Sequence, residues 1–425
     1  MDTEKSEKKL EETLNSGGWS VLRNKTFLFY LYSIIFTSFT GPMYMLVEGW
    51  YVVDHLNQPA LLGLVLMVTA IPRVLFMLFG GVLSDRISKS KIMFFSDFTR
   101  AGLLFGMAGL VVFDLLNFWT LLTFAALFGV LEAFYWPAST SIIPSIVPAE
   151  NLRTANSFGM IIQQLGMMLG PVIAGLLLAF GTFEAAFTVI GVLLLLGALC
   201  LILVRVPVAV ARVEESKPSM FRELKEGFLY IKKDSFKVSI ILTVSIASFF
   251  VSGPVSVAFP TLVKTVFEGT TVDLTYLQTS FAIGSVLGGV LIGVLKPKGN
   301  MAVWAYGAFI LLCVGIMTLG LSKELNYSIV ISIFTGLLSA IANMMLLTVF
   351  QLSLEQDKLG RGMSLFTIAS MGLYPLSAGL VPLLLSIGVS ISTLLVFSGA
   401  IAGCILTTVL FSVKTIRNRS TSISG

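Results

Sequence analysis

Long apolar runs separated by short polar segments are the dominant pattern along the chain. A helix needs about 20 apolar residues to cross a hydrocarbon core roughly 30 Å thick, and twelve runs reach that length. They lie at about 27–53, 60–83, 92–114, 118–142, 156–180, 184–206, 238–263, 275–295, 301–321, 327–353, 363–387 and 390–413. This pattern predicts an all-α integral membrane protein with twelve transmembrane helices.

The longest polar connection, residues 207–237, divides these runs into six and six. Within it, Phe221, Leu224, Phe228 and Ile231 recur at helical spacing, which predicts a short amphipathic helix along the membrane surface. The predicted organisation is a cytoplasmic tail (1–26), a six-helix lobe (27–206), the linker (207–237), a second six-helix lobe (238–413) and a second cytoplasmic tail (414–425).

The two halves repeat short patterns in the same order, which predicts two pseudo-symmetric lobes. Thr40-Gly41-Pro42 in the first run corresponds to Ser252-Gly253-Pro254 in the seventh, and three further matches follow at nearly constant spacing. Gly-Pro interruptions at equivalent places in both halves are typical of transporter substrate sites. Pro42 and Pro254 are therefore candidates for the cavity wall, although both could simply be packing kinks.

Composition and charge placement support this interpretation. The chain is 56% hydrophobic and 12% charged, and its net charge is +5. Most lysines and arginines lie in the two tails, the linker and the loops of one side, so the positive-inside rule predicts that both termini are cytoplasmic. The basic charge is then a topology signal and does not indicate nucleic-acid binding. The three cysteines lie inside the runs without the spacing of a disulfide framework or a metal site.

Five ionisable residues lie within the predicted spans, all of them in the first half: Glu48, Arg73, Asp97, Arg100 and Glu132. An ionised side chain at mid-bilayer costs at least about 2.5 kcal/mol, so each one is a functional candidate. At about 1.5 Å per residue, Arg73, Arg100 and Glu132 lie near one level. Glu48 lies close to the outer end of its helix, where we expect it to reach water.

Two interpretations of Glu132 remain open. It could pair with Arg73 and stay charged, or it could lack a partner and exchange a proton near neutral pH. Glu132 and Glu48 are the proton-coupling candidates, and Arg73 could instead line the cavity and attract an anionic substrate. Asp97 and Arg100 share a helix face, so we expect them to form a structural charge network with each other or with Asp85 and Arg86.

Aromatic residues flank both candidate glutamates. Tyr135 and Trp136 follow Glu132 by three and four residues, and Tyr44 and Tyr51 flank Glu48 at similar spacing. A carboxylate among aromatic rings suits a lipophilic cation. Tyr51 could equally belong to the interfacial aromatic belt. Ser339 occupies the repeat position equivalent to Glu132, so the second lobe is predicted to offer a neutral wall.

The segment Gly81-Val-Leu-Ser-Asp85-Arg86-Ile-Ser-Lys89 resembles the signature loop of the major facilitator superfamily. The resemblance implies a fold of two six-helix lobes. It also implies that Gly81, Asp85, Arg86 and Lys89 form a conformational latch, in which Asp85 meets the start of the eleventh helix. The second half has Gly293 at the position equivalent to Asp85.

Two further stretches resemble exporters of that superfamily. Gly166, Gly170, Pro171 and Gly175 match the exporter motif, with Ala174 departing from the usual paired glycines, and the same glycines could equally form a helix-packing face. The stretches 133–138 and 359–364 are similar to the macrolide and multidrug efflux branch. The resemblance therefore implies export of a drug-like compound.

These observations together predict a proton-coupled exporter of lipophilic small molecules in the cell membrane, working by alternating access as a monomer. The chain has no Gly-Lys dipeptide and therefore no Walker A loop, so we expect no use of ATP. No enzymatic activity, cofactor or metal is expected. The alternatives are a carrier of the same fold for a siderophore, peptide or sugar, and a membrane receptor or scaffold that transports nothing.

Overall fold

The structure, a computed structural model, describes residues 18–148, 151–204, 227–295, 300–355 and 358–413. Within these ranges the chain is almost entirely helical and contains no β-strand, which confirms the all-α prediction. The first half contains six α-helices: α1 (Lys25–Trp50), α2 (Leu62–Arg86), α3 (Lys89–Val112), α4 (Phe118–Ile146), α5 (Leu152–Phe180) and α6 (Phe183–Ile202).

The described spans of the second half form eight α-helices, because two of these spans are broken. They are α7 (Ser235–Ile246), α8 (Gly253–Thr265), α9 (Thr271–Leu295), α10 (Met301–Leu321), α11 (Leu325–Ser353), α12 (Leu359–Met371), α13 (Tyr374–Ser386) and α14 (Ile391–Ser412). α7 and α8 belong to one span, as do most of α12 and all of α13. Part of the predicted linker helix is also described, since residues 227–232 are helical.

Eleven segments of the described chain are long and apolar enough to cross a membrane, beginning with Pro59–Met77. The first predicted span is not among these eleven. It forms α1, which is long enough at 26 residues, but its hydroxyl side chains, Gly41-Pro42 and Glu48 reduce its apolar character. The other eleven predicted spans all correspond to helical segments.

The short polar connections between runs supply the signals that start helices. Asn117 Oδ1 accepts hydrogen bonds from the backbone N–H groups of Trp119 and Thr120, both at 3.0 Å, at the start of α4. Asn300 caps α10 in the same way. Such caps satisfy N–H groups that have no partner within the helix.

The repeated Gly-Pro pairs behave differently in the two halves. Gly253-Pro254 directly follows a π-helical segment, Ala247–Ser252, which joins α7 to α8. A proline has no N–H group to donate to the carbonyl of the preceding turn, so local π geometry is a common accommodation. Pro42, by contrast, lies inside the continuous helix α1, and the π-helical segment of the first half comes later, at Tyr51–His55.

The chain divides into two compact units. The first comprises Met1–Val47 and Pro72–Val213, and the second comprises Glu48–Ile71 and Glu214–Gly425. Small residues allow residues 48–71 to pack closely within the second unit. A Cβ atom at Gly63 would overlap the carbonyl oxygen of Ala378, and one at Gly379 would overlap the Met67 side chain.

Candidate functional site

An ion pair joins α2 and α4 within the first unit. Arg73 Nη1 donates to Glu132 Oε2 at 3.1 Å, and the side chains are 37% and 30% exposed. The two helices can approach because Gly80 has no side chain, since a Cβ there would overlap the carbonyl oxygen of Ala133. The structure therefore shows Arg73 as the partner of Glu132, and proton exchange at this carboxylate stays a prediction.

A second ion pair lies in the core of the same unit. Arg100 Nη2 donates to Asp97 Oδ1 on the same face of α3, and neither residue is more than 7% exposed. The Arg100 guanidinium also lies 5.0 Å from the centre of the Tyr135 ring on α4. The predicted pairing of Asp97 with Arg100 is therefore present. The side chains of Asp85 and Arg86, the alternative partners, lie outside the described residues.

We expected the Tyr135 ring to face a cavity, but the residue is buried. Its hydroxyl lies 3.2 Å from Thr37 Oγ1 on α1, and its ring covers Arg100. Successive residues of a helix point about 100° apart, and Trp136 is 39% exposed where Tyr135 is 9% exposed. Of Tyr135 and Trp136, only Trp136 is therefore accessible.

The residues around Glu48 are also more buried than the sequence suggests. Glu48 is 1% exposed, which contradicts the expectation that it reaches water. Tyr44 stacks on Phe128 with ring centres 4.3 Å apart. Tyr51 stacks on His55 at 4.6 Å and is itself buried, so it is not an exposed residue of an interfacial belt.

An unpredicted ion pair lies in the second unit. Lys264 Nζ donates to Asp54 Oδ1 at 2.6 Å, and both side chains are about one third exposed. Sequence analysis could place both residues at the outer ends of their spans. It could not pair them, because the contact joins residues 210 positions apart.

One of the second-half candidates, Ser339, lines a small cavity. A cavity of about 80 Å³ is bordered by Ser252, Thr335 and Ser339 and by apolar side chains that include Phe259, Phe281 and Leu312. Pro254 is buried nearby in the chain, at the start of α8. The backbone carbonyl of Ser339 accepts a hydrogen bond of 2.8 Å from Asn343 Nδ2.

The surroundings of two of the four predicted latch residues, Gly81 and Lys89, are described by the structure. Gly81 faces open space, since a Cβ there would meet nothing within 4 Å. Lys89 Nζ donates to the carbonyl oxygen of Ser141 at 2.7 Å and to Ser145 Oγ at 3.0 Å, joining the ends of α3 and α4. The contact proposed for Asp85 remains a prediction.

The glycines of the exporter motif form a packing face against α1. A Cβ atom at Gly166 would overlap the Ser38 backbone, and one at Gly170 would lie 3.0 Å from both Phe39 O and Pro42 Cβ. Pro171 and Gly175 lie buried in the same helix. The packing alternative therefore has direct geometric support, and Pro42 contributes to this contact.

The described residues contain no cluster of three or more His, Cys, Asp or Glu side chains that could hold a metal ion. Comparison with known proteins identifies the family. The sequence profile of the Major Facilitator Superfamily matches residues 26–378. The chain belongs to the major facilitator superfamily. It is therefore a multi-pass membrane transporter by family, and its helices have the major facilitator fold.

Relatives within this superfamily include exporters. The chain is 24% identical to Macrolide efflux protein A of Enterococcus faecalis over 287 residues, 67% of this chain and 88% of that protein. It is 27% identical to Enterobactin exporter EntS of Salmonella typhimurium over 318 residues, 72% of each chain. A crystal structure of a bacterial homolog of the human lysosomal transporter Spinster matches 95% of this chain with a TM-score of 0.65 at 16% identity.

Proposed function

We propose that this transporter exports lipophilic small molecules of the macrolide or drug-like class in exchange for protons. The Arg73–Glu132 ion pair is the observation that carries the proposal. It lies on apolar membrane helices, where ionised side chains almost always face the bundle interior or a water-filled cavity, and both side chains are about one third exposed. We therefore expect a proton or a solute to reach it. The names of the relatives support export as the direction.

The chemistry of the pair suggests how exchange works. A proton on Glu132 removes the charge that holds Arg73, and a cationic substrate beside Glu132 competes with Arg73 in the same way. Proton and substrate thus bind to one carboxylate at different times. Exposed Trp136, one turn further along α4, supplies an aromatic surface for a lipophilic cation.

The proposed setting is the cell membrane, with both termini in the cytoplasm. In this orientation the proton gradient drives protons inward while substrate leaves. The transporter would act as a monomer, with the lipid bilayer around it and without ATP. Glu48 is the weaker proton-coupling candidate because its side chain is buried.

Inverted membrane vesicles test the proposal. A proton gradient is established across the vesicle membrane and followed with a pH-sensitive dye while a macrolide such as erythromycin, or a lipophilic cation such as ethidium, is added. We expect substrate to dissipate the gradient in wild-type vesicles. In Glu132→Gln vesicles the rate of dissipation should be at least about tenfold lower, because a neutral amide cannot exchange a proton.

Glu184→Gln provides a matched control, because Glu184 is an acid of the same unit that lies in the first turn of α6, a helix that contributes neither member of the Arg73–Glu132 pair. It should retain wild-type activity. If Glu132→Gln transports its substrate and responds to the gradient as the wild type does, proton exchange at Glu132 is excluded.

Siderophore export is the second candidate, and the similarity to Enterobactin exporter EntS is what favours it. An anionic substrate would use Arg73 in place of Glu132. Under this alternative, Arg73→Gln abolishes transport of a catecholate siderophore while Glu132→Gln retains it. The same vesicle assay with a catecholate probe separates the two functions.

A further inference from the structure

The last part of the linker between the two halves lies where two membrane spans end. Residues 227–232 are helical and come just before the span Ser235–Thr265. The Tyr230 hydroxyl accepts a hydrogen bond of 3.3 Å from the backbone N–H of Glu355, which lies just beyond the end of the span Leu325–Ser353. Because this short helix touches the ends of two spans, it lies at the level of the membrane surface.

A buried lysine fixes the orientation of the short helix. Lys237 is only 6% exposed, and its Nζ lies 3.8 Å from the centre of the Tyr230 ring and 3.8 Å from Asp234 Oδ2. Asp234 Oδ1 also accepts a hydrogen bond of 3.0 Å from the backbone N–H of Phe236. A buried charge requires such partners, because they replace its lost hydration. Tyr230 and Asp234 therefore join the end of the linker to the start of α7.

The short helix has one face toward the protein and one face away from it. Successive side chains of a helix point about 100° apart, so residues three or four positions apart share a face. Gly227 and Ile231 are buried, and Tyr230 faces the protein through its contacts. The opposite face, here called the linker surface, carries two exposed apolar residues and two exposed lysines: Phe228, Leu229, Lys232 and Lys233.

The net positive charge of the linker is concentrated at this end. Residues 207–226 contain four basic and four acidic residues, so the charges of that stretch cancel. Residues 227–237 contain three lysines and one acid, Asp234, which lies beside the buried Lys237. The neighbouring acid Glu355 meets the helix through its backbone N–H. The two exposed lysines therefore supply the charge of the linker surface.

We propose that the linker surface is a docking site for anionic phospholipids of the inner leaflet. Its apolar side chains can enter the boundary between headgroups and acyl chains, while the lysine ammonium groups stay beside the phosphates. The charge of the occupant follows from complementarity, since the cytoplasmic leaflet has a negative surface potential. The proposal requires the linker to be cytoplasmic, as the charge distribution predicts, and it is independent of the transported substrate and of Glu132.

Native mass spectrometry of the purified full-length protein tests this site. The protein in a neutral detergent is titrated with phosphatidylglycerol and, separately, with phosphatidylethanolamine of the same acyl chains. We expect phosphatidylglycerol to bind more tightly. A lysine close to anionic lipid strengthens binding about fivefold, so Lys232→Gln/Lys233→Gln should weaken phosphatidylglycerol binding at least about tenfold and leave phosphatidylethanolamine binding nearly unchanged.

Three matched variants separate charge, apolar contact and location. Lys232→Arg/Lys233→Arg keeps both charges and should bind phosphatidylglycerol as the wild type does. Phe228→Ser/Leu229→Ser keeps the lysines but removes the apolar contact, and it should weaken the binding of both lipids. Lys323→Gln removes an exposed lysine from the connection between α10 and α11 and should change neither affinity. Melting temperatures identify any variant that is poorly folded.

Three results would overturn the proposal. The first is equal affinity of the wild type for the two lipids, and the second is wild-type affinity for phosphatidylglycerol in Lys232→Gln/Lys233→Gln. The third is displacement of phosphatidylglycerol by glycerol phosphate, which has the phosphate group without acyl chains, because the surface would then bind anions in general. If the double variant accumulates poorly, Lys232→Gln and Lys233→Gln alone decide the question, since each should weaken binding about fivefold.

Discussion

Lys89 fixes the relation between two helices through a single ammonium group. It donates to a backbone carbonyl and to a hydroxyl on the last turns of α4. We expect Lys89→Met to lower the free energy of unfolding by about 1.5 to 3 kcal/mol, the usual contribution of a hydrogen bond to a charged group. Thermal unfolding in detergent measures the loss.

Lys89→Arg is the matched variant, because it keeps the positive charge and can still donate to α4. It should retain most of the stability that Lys89→Met loses. Equal melting temperatures for wild type and Lys89→Met would show that these contacts contribute nothing to stability.

The charged residues also show how far sequence can locate a site. Arg73 and Glu132 could be matched in advance because depth along a helix follows from residue count. The burial of Tyr135 and Glu48 could not, because the direction in which a side chain faces depends on which helices surround it. A single sequence read by itself carries no signal for those neighbours.

At the scale of elements, the glycines of α5 that pack against α1 lead to a testable prediction. Gly166→Ala places a methyl group where the Ser38 backbone of α1 lies. We expect α1 and α5 to be forced apart, with a loss of about 1 to 3 kcal/mol in the free energy of unfolding. Melting temperatures of detergent-solubilised protein test this.

Gly102→Ala is the control for that substitution, since a Cβ at Gly102 in α3 would meet nothing within 4 Å. It should be neutral or slightly stabilising because alanine is the better helix former. If both variants lost a similar amount of unfolding free energy, close packing against α1 would not be the reason for glycine at position 166.

The Asp54–Lys264 pair connects the π-helical segment Tyr51–His55 to the end of α8. Asp54→Lys places two cations together and should lower the melting temperature, whereas the exchanged pair Asp54→Lys/Lys264→Asp should recover it. Partly exposed pairs contribute about 0 to 1 kcal/mol, and salt weakens them. Unfolding at low and high salt measures both effects, and an exchanged pair no more stable than the single variant contradicts the prediction.

The hydrophobic pattern predicted most helix boundaries to within a few residues, because membrane thickness fixes the length of each apolar run. The pattern was a poorer guide to the interruptions of helices within single spans. Gly253-Pro254 marks an irregular region, whereas Gly41-Pro42 lies inside a regular helix. A proline permits a distortion, and the packing around it decides whether the distortion forms.

At the scale of the whole molecule, the charge distribution predicts the topology. Trypsin added to inverted vesicles should cleave within residues 207–237 and 414–425, where several lysines and arginines lie, because these segments would then face the medium. Right-side-out vesicles should be protected at the same sites. Cleavage in right-side-out vesicles alone would reverse the assigned orientation.

The membership of residues 48–71 in the second unit has a consequence for biosynthesis. Gly63 packs against Ala378, which the ribosome adds about 300 residues later, so this contact cannot form during most of translation. Residues 48–71 must therefore stay in the membrane without this contact until α13 has been made. A chain interrupted near residue 213 would therefore lack one side of this contact in each fragment, and both fragments would have to be made together to complete it.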